Sequence, residues 1–304
     1  MAIVGVGKIA RDQHIPAVRA NPAFELVACA DPMARLDGVE TFTSLEEMLV
    51  RRPDIDALSI CSPPQARYPA ARLALEAGKH VLLEKPPCET TAQLEHLARL
   101  AVDARLSLFQ TWHSRHAAAV EAATKWLQTR EIRRVEVTWK ENVRQWHPGQ
   151  SWIWLAGGFG VFDPGINAIS ILTRIIPQPI LVTAANLRIP SDCEAPIAAE
   201  VTLETVGGAP INAAFDFRHA GAPIWDIEVE AEGAVLKLSR GGWLLAIDGE
   251  PVALGPTDGE YPSLYRRFAE LIQTRASDVD MRPFQLVADA FLIARRTSVE
   301  PVGD

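Results

Sequence analysis

The chain has 304 residues, of which 48% are hydrophobic and 22% charged. This composition excludes a disordered chain and a coiled coil, and the length fits one large or two ordinary globular domains. Lysine and arginine total 30 against 38 aspartates and glutamates, for a net charge of −8, so we expect no nucleic acid partner.

Short apolar runs alternate with helical patterns over residues 1–113. Runs that are apolar on both faces are typical of parallel strands covered by helices, so this part is predicted to be a doubly wound parallel sheet of α/β class. Helices are predicted at residues 70–77 and 91–104, the second capped by Thr90 or Thr91. The predicted strands are residues 2–4, 24–30, 57–61, 80–83 and 106–110.

A different period begins near residue 132, where Val135, Val137 and Trp139 alternate with polar residues. This alternation predicts half-buried strands, and residues 114–304 are therefore predicted to form an α+β domain with a mostly antiparallel sheet. Asp248-Gly249 is a hairpin signal. Further strands are predicted at residues 180–187, 201–205, 211–217 and 224–230, and helices at 114–128, 166–175, 261–274 and 284–296.

The cysteines are too widely spaced to suggest a zinc site or a disulfide framework, and no metal is expected. They are read as buried thiols in a reducing compartment. No basic segment precedes the first apolar residues, and no stretch reaches the ~20 apolar residues that a bilayer requires. We therefore predict a cytoplasmic protein without membrane contact. The cysteines are Cys29, Cys61, Cys88 and Cys193.

Residues 5–10 read GVGKIA and match G-x-G-x-x-A between a predicted strand and helix. Gly5 permits the tight turn, Gly7 lets backbone approach a pyrophosphate, and Ala10 allows close packing of helix and sheet. Lys8 and Ile9 then lie in the first helical turn, beside the phosphates. A coincidental strand-to-helix turn is the alternative.

Asp31 ends the next predicted strand, at the distance where an acidic residue binds the ribose of a dinucleotide. An anion there repels a 2′-phosphate, which favours NAD over NADP. Arg35 is close enough in sequence to reach a phosphate, so NADP remains open. The structural alternative for Asp31 is a turn former before Pro32.

Two further strand ends carry candidate residues. Glu84 and Lys85 follow the predicted strand 80–83, at the edge where open α/β sheets bind ligands, although a solvated surface lysine is the commoner situation. Ser62 follows strand 57–61 and is a predicted cofactor contact held by the rigid prolines after it.

Four motifs in order resemble the glucose-fructose oxidoreductase, inositol dehydrogenase and MocA family (Gfo/Idh/MocA). They are GVGKIA at 5–10, CSPP at 61–64, AGKHVLLEKP at 77–86 and GGFGVFDPGIN at 157–167, and the resemblance covers essentially the whole chain. The resemblance implies an N-terminal Rossmann domain (1–113) and a C-terminal α+β domain with an open sheet (114–304). It also implies hydride transfer with a nicotinamide and self-association into a homo-oligomer.

In this family the lysine of the EKP motif lies beside the reacting carbon, which implies a catalytic role for Lys85. The family commonly has D-x-G-x-H in the last motif, whereas Asn167 here replaces the histidine that moves the proton. Arg67 likewise stands where a histidine is common. Asp163 with Asn167, residues 8–17 and the tryptophan-rich residues 137–167 look similar to bacterial aldose 1-dehydrogenases, which oxidise L-arabinose or D-galactose to lactones.

Asp163 and Asn167 are four residues apart and would face one substrate from one side of a helix. Oxidation of an anomeric hydroxyl needs a base, which is Asp163, or Lys85 if burial and the cofactor's charge lower its pKa. We favour Asp163 as base, Lys85 as the group that polarises O1, and Asn167 as a hydroxyl ligand. A helix N-cap before Pro164 is the alternative for Asp163.

The remaining substrate candidates are Glu141, His147, Trp146, Trp225 and His113. The strand alternation points Glu141 to the packed face, where it needs a partner such as His147, although His147 could be a surface loop residue. The two tryptophans could stack on a sugar ring or pack in a core or subunit contact. His113 ends the last strand of the first domain, and Trp152 is predicted near the nicotinamide.

The predicted activity is therefore an NAD(P)-dependent aldose 1-dehydrogenase. A relative that acts on another alcohol or ketone, such as a polyol, inositol or dihydrodiol, is the first alternative. A regulator that binds NAD without turnover is the second, but it has no use for Lys85 and Asp163 together.

Overall fold

The computed structural model describes residues 1–303 and divides into two units. Unit 1 contains Met1–Trp112 and Asp258–Met281, and unit 2 contains His113–Thr257 together with residues 282–303. Within residues 1–303, no helix has both the length and the apolar character needed to cross a membrane.

Unit 1 is built on a six-stranded sheet in which all neighbouring strands are parallel. Its central strands are buried on both faces, which explains why they are almost entirely apolar. Its elements are β1 (Ala2–Val4), α1 (Ile15–Ala20), β2 (Ala28–Ala30), β3 (Glu40–Phe42), α2 (Leu45–Arg51), β4 (Ala57–Ile60), α3 (Pro64–Glu76), β5 (His80–Leu83), α4 (Thr91–Asp103) and β6 (Leu108–Gln110), with a π-helical turn over Ala10–His14. The strand order β3-β2-β1-β4-β5-β6 changes direction at β1, so the loops after β1 and β4 are neighbours.

Unit 2 is built on a nine-stranded mixed sheet. The elements that follow β6 along the chain are α5 (Val120–Leu127), β7 (Ile132–Lys140), α6 (Val143–Trp146), α7 (Phe162–Ile175), β8 (Ile180–Pro190), β9 (Ala198–Thr205), β10 (Pro210–Asp216), β11 (Ile224–Ala231), β12 (Ala234–Ser239), β13 (Leu244–Ile247), β14 (Glu250–Pro251), α8 (Glu260–Thr274), α9 (Arg282–Ile293) and β15 (Arg295–Val299). All of them except α8 belong to unit 2. The strand order is β14-β13-β12-β11-β7-β10-β9-β8-β15. Only the pairs β7–β10 and β8–β15 are parallel among its described strands, so the sheet is mostly antiparallel, as predicted.

The position of α8 corrects the expected second domain, which was to run without interruption from residue 114 to 304. Leu264, Tyr265 and Phe268 on α8 are fully buried and pack with Val18 and Leu82 in a core cluster of unit 1. Local sequence patterns predicted the helix but could not assign it to the earlier sheet, since its partners are about 200 residues away in the chain.

Several element boundaries also differ from the sequence predictions. β2 begins at Ala28 rather than at residue 24, because Phe24 stacks instead on Phe268, with 5.8 Å between ring centroids. α9 ends at Ile293, and Arg295–Val299 forms an edge strand parallel to β8 where the helix was expected to continue. β3 and α2 were not predicted.

Capping and turn chemistry were predicted more accurately. Thr90 caps α4 in a reciprocal capping box with Gln93, and Asp248-Gly249 forms the β13–β14 turn with positive φ at both residues. The helix expected over residues 114–128 is shorter, since a 3₁₀ turn at His113–His116 precedes α5.

Candidate active site

The glycine loop follows β1 and lies against the segment that follows β4. Gly5 has φ +87°, and a Cβ atom there would lie 2.6 Å from the backbone nitrogen of Ser62, so only glycine fits. At Gly7 no atom lies within 4 Å of the corresponding Cβ position, so the backbone there can be approached. Helical structure begins at Lys8. This open approach at a helix N-terminus fits the pyrophosphate of a dinucleotide.

Three other predicted cofactor residues belong to this loop or to the segment packed against it. The Ser62 hydroxyl is buried and has no hydrogen-bond partner among the described residues, which suits a contact completed by a bound cofactor. Lys8 is exposed and pairs with Asp12, one helical turn away. Ile9 packs partly into the apolar clusters of unit 1.

Asp31 connects the end of β2 to the glycine loop. Its carboxylate accepts hydrogen bonds from the backbone nitrogens of Val6 and Ala34, both at 2.7 Å, and of Met33 at 2.9 Å. Partial burial would raise the pKa of Asp31, but these donors outweigh burial and lower it. Asp31 therefore shapes the turn as well as presenting an anion at the predicted ribose position.

A buried polar cluster, here the His14 cluster, contains His14, Ser59, Glu84, Tyr261 and Tyr265. Glu84 Oε1 accepts from the Tyr261 hydroxyl at 2.9 Å and lies 3.3 Å from His14 Nε2. His14 Nδ1 lies 2.7 Å from the Tyr265 hydroxyl, which is 2.8 Å from Ser59 Oγ. Only Glu84 was predicted from sequence, as a cofactor residue, and its Oε1 is engaged within the cluster.

The pH dependence of stability should report this cluster. Burial alone would lower the pKa of His14, but Cys61, Tyr265 and Glu84 outweigh burial and hold that pKa well above the ordinary value of 6.5. The folded state therefore binds the proton more tightly than the unfolded chain does. The resulting stabilisation is complete below about pH 6.5 and is lost as pH rises through the raised pKa of the folded state.

In urea unfolding of the wild type, we expect the free energy of unfolding to fall as pH rises through the raised pKa of His14. In His14→Gln, this part of the slope of free energy against pH should be absent. His96→Gln, which replaces a half-buried histidine of the same unit, should keep the slope. An unchanged slope in His14→Gln would contradict a tightly held proton on His14.

Lys85 lies half-buried directly after β5, at the carboxyl edge of the parallel sheet. The residues on both sides of it are held: Glu84 belongs to the His14 cluster, and the carbonyl of Pro86 accepts a hydrogen bond from Arg67. Arg67 is 4% exposed. Its sequence context gave Arg67 no transferable role, and the structure gives it this one. A fully solvated surface lysine, the structural alternative, does not describe Lys85.

In unit 2, buried Glu141 is the centre of a second polar group, whose other members are half-buried or buried. Its Oε2 accepts from Trp225 Nε1 at 2.8 Å, and its Oε1 lies 2.9 Å from His147 Nε2. On the other side of the imidazole, His147 Nδ1 lies 3.9 Å from Asp163 Oδ2 and 3.3 Å from Gln150 Oε1. Burial of Glu141 and its pairing with His147 are confirmed, whereas Trp225 and Gln150 as polar partners were not predicted.

Asp163 and Asn167 lie one turn apart on α7. The helix begins at Phe162 and its N-cap is Val161, so the alternative reading of Asp163 as N-cap is wrong. Asp163 is buried, and Asn167 is half-buried. The turn that leads into α7 is tightly packed, because a Cβ at Gly158 would lie 2.1 Å from the Trp152 carbonyl oxygen.

The other predicted residues of unit 2 are less closely linked to this group. Trp146 is 37% exposed and meets Trp225 edge to face, with 5.0 Å between ring centroids. Trp152 is half-buried in the 3₁₀ turn Ser151–Trp154, and His113 Nδ1 lies 3.3 Å from Ser114 Oγ. Within residues 1–303, no three or more His, Cys, Asp or Glu side chains are arranged so that they could hold a metal ion.

Comparisons with known proteins agree with this arrangement. Residues 1–111 match the family model of GFO_IDH_MocA, an oxidoreductase family with an NAD-binding Rossmann fold. The chain is 46% identical over 305 residues to galactose 1-dehydrogenase of Pseudomonas fluorescens, covering 100% of this chain and 98% of that protein.

Solved structures of related proteins also match the chain over nearly its whole length. D-galactose-1-dehydrogenase from Rhizobium etli matches with a TM-score of 0.94 and 51% identity, over 99% of this chain and 97% of that chain. The 3-ketoreductase KijD10 from Actinomadura kijaniata, solved with NADP, matches at 22% identity with a TM-score of 0.85 over 98% of both chains, which supports the fold alone.

Fold, glycine loop and full-length relatives together define an NAD(P)-binding oxidoreductase. The chain belongs to the Gfo/Idh/MocA family, as the four sequence motifs predicted.

Proposed function

We propose that the protein oxidises the anomeric carbon of an aldose to the lactone, with D-galactose as the preferred sugar. The observation that carries the proposal is the array of buried Glu141 and Asp163 with half-buried His147 and Trp225, which sets two carboxylates and an imidazole beside exposed aromatic surface on Trp146. Such groups bind sugar hydroxyls and C–H faces. The relatives at 46% and 51% identity, both named as galactose 1-dehydrogenases, support the choice of C1 and of galactose.

The proposed reaction removes a hydride from C1 and a proton from O1. The bound NAD(P) supplies the hydride acceptor, and the C1–O1 bond becomes a carbonyl as the O1–H bond breaks. Asp163 takes the proton, because Asn167 cannot accept one at neutral pH. Lys85 donates a hydrogen bond to O1 and stabilises the negative charge that develops there.

The other side chains are proposed to bind and orient the sugar. Asn167 holds hydroxyls from the next turn of α7, and His147 lies 3.9 Å from Asp163, where it stabilises the carboxylate. Glu141 holds His147 and Trp225 in place through its two oxygens. Trp146, His113 and Trp152 are proposed to line the sugar and nicotinamide positions.

We further propose that NAD is preferred to NADP. Asp31 presents an ionised carboxylate at the position expected for the adenosine ribose, and an anion there opposes a 2′-phosphate. Exposed Arg35 is the residue that would favour NADP instead.

Asp31→Ser should raise the ratio of kcat/KM for NADP to that for NAD by about tenfold, since the repelling charge is removed. The absolute rate with NAD should fall, because the variant also loses an acceptor for the Val6 nitrogen. Asp37→Ser, which removes an exposed nearby carboxylate, serves as control. An unchanged ratio in Asp31→Ser would show that Asp31 does not face the ribose.

A panel of aldoses and polyols with NAD and with NADP tests the activity through absorbance of the reduced nicotinamide. We expect D-galactose to give the highest kcat/KM and L-arabinose, its pentose counterpart, to follow. Turnover confined to inositol, a polyol or a dihydrodiol would favour the other alcohol oxidoreductases of the family. Binding of NAD without turnover of any substrate would favour a regulator.

The protein is also proposed to act in the cytoplasm as a homo-oligomer. A reducing compartment suits its free thiols, of which Cys29, Cys61 and Cys88 are buried. Residues of β9 alternate between buried and exposed, so one face of the nine-stranded sheet is open in a single chain. A monomer in sedimentation experiments at micromolar concentration would contradict the association.

A further inference from the structure

The His14 cluster joins three neighbouring strand ends of unit 1 that have separate functions. His14 lies in the helix that starts at the glycine loop after β1, Ser59 lies in β4, and Glu84 follows β5 directly before Lys85. Tyr261 and Tyr265 of α8 complete the cluster. None of these five side chains has a role in the reaction proposed above.

We propose that His14, Tyr261 and Arg67 are positioning residues that hold the backbone on both sides of Lys85 and thereby place its amine. The inference rests on the proposed function, because it concerns the lysine that polarises O1. It assigns a role to groups that never touch the sugar.

On one side of Lys85, the backbone is held through the side chain of Glu84. Glu84 Oε1 accepts a hydrogen bond from the Tyr261 hydroxyl and faces His14 Nε2. The side chains of His14 and Glu84 are 0% and 1% exposed. Water therefore does not compete for these bonds. A buried carboxylate that lost its partners would carry a large desolvation cost, so Glu84 has one favourable position.

The charges around His14 are consistent with this role. The groups that face it are Cys61 after β4, Glu84 after β5, and Tyr261 and Tyr265 on α8. Glu84 is the only carboxylate among them, and the pKa of His14, 3.3 Å from that carboxylate, is held above its ordinary value.

On the other side of Lys85, the backbone is held at Pro86. Its carbonyl accepts a hydrogen bond from the buried Arg67 guanidinium, which approaches from α3. An arginine with its planar donor group restrains a carbonyl in distance and direction. With Glu84 and Pro86 both restrained, the peptide of Lys85 has little freedom, and the lysine starts from a defined backbone position.

His14 also links this support to the cofactor loop. It ends the π-helical turn Ala10–His14, whose wider spacing is uncommon and is often found at functional sites. The same side chain therefore belongs to the helix that begins at the glycine loop and contacts the residue before Lys85.

The test compares Tyr261→Phe and His14→Gln with Ser107→Ala. Ser107→Ala is matched because Ser107 Oγ donates to the carbonyl of Leu271, near the other end of α8, and is equally buried. Lysines are methylated with ¹³C-formaldehyde, and the Lys85 resonance is identified by its loss in Lys85→Arg. The other lysines are Lys8, Lys79, Lys125, Lys140 and Lys237.

We expect the Lys85 resonance to shift or broaden in both cluster variants while the other lysine resonances stay in place. We expect kcat to fall about tenfold, with the KM of the sugar changed by less than about twofold, because positioning acts mainly on the reacting geometry. Ser107→Ala should lower the melting temperature and leave both the resonance and kcat unchanged.

An unchanged Lys85 resonance in both cluster variants, or an unchanged kcat, would overturn the inference. A change of the same size in the Lys85 resonance and kcat of Ser107→Ala would show that the cluster contributes only general stability, which would overturn the inference as well. Failure of the proposed function is a separate outcome: Lys85→Ala would then turn over sugar at the wild-type rate, while the resonance would still report whether the cluster holds Lys85.

Discussion

Replacement of Lys85 by alanine is expected to lower kcat/KM for the sugar by roughly 10²- to 10⁴-fold, the range for losing a group that assists proton transfer. The lysine amine is proposed to stabilise charge on O1 as the carbonyl forms, and alanine leaves that charge without a donor. Affinity for the dinucleotide should change little, since the glycine loop and Asp31 are untouched. Initial rates of nicotinamide reduction and NADH titration by fluorescence measure the two quantities separately.

Lys79→Ala provides the matched control. Lys79 lies directly before β5, which Lys85 follows closely. It is buried and donates a hydrogen bond to the carbonyl of Pro53 at 2.7 Å. Its loss should cost stability without affecting turnover of the folded enzyme. Equal losses of kcat/KM in Lys79→Ala and Lys85→Ala would indicate that Lys85 matters only for folding.

Asp163→Asn is expected to lower kcat by roughly 10³-fold, because the amide has the size of the carboxylate but accepts no proton at neutral pH. Asp163 is buried in the first turn of α7, and asparagine can occupy the same space. The limb of the pH–rate profile that reports ionisation of the base should disappear with the carboxylate. Asp248→Asn, in the β13–β14 turn of the same unit, should retain both the rate and the limb.

The same profile decides between the two candidate bases. If Lys85 accepts the proton, Asp163→Asn keeps the limb and Lys85→Arg removes it. A wild-type rate in Asp163→Asn would remove Asp163 from the mechanism altogether.

The cofactor half of the fold could be predicted because its signals are local. A glycine loop after a strand, an acid at the end of the next strand and EKP after a later strand each need only neighbouring residues to be recognised. The buried strands were found for the same reason, since β1 is wholly apolar and β4 and β5 each carry a single polar residue, Ser59 and His80. β3 carries exposed and half-buried residues at an edge and gave no such run.

The polar clusters could be predicted only in part, because they depend on distant contacts. Alternation along β7 predicted that Glu141 is buried, and its neighbour His147 was the nearest candidate partner. Trp225 completes the group only because β11 pairs with β7 in a register that sets Trp225 opposite Trp139. That register is a property of the tertiary structure, so it cannot be predicted from the sequence of either strand alone.

The His14 cluster could not be predicted from the sequence for the same reason. Its hydrogen bonds join His14 to Tyr265 and Glu84 to Tyr261, pairs separated by 251 and 177 positions in the chain. A histidine four residues past a glycine loop and a tyrosine pair on a late helix carry no joint signal. Their association became visible only once α8 was placed in unit 1.

Oxidation at the anomeric carbon is tested most directly with D-galactose carrying deuterium at C1 and with NAD. We expect the deuterium to appear in the reduced nicotinamide, turnover to slow with a primary isotope effect, and the sugar product to be the lactone or its hydrolysed aldonic acid. Deuterium retained in the sugar product, with hydride taken from another carbon or from none, would contradict oxidation at C1.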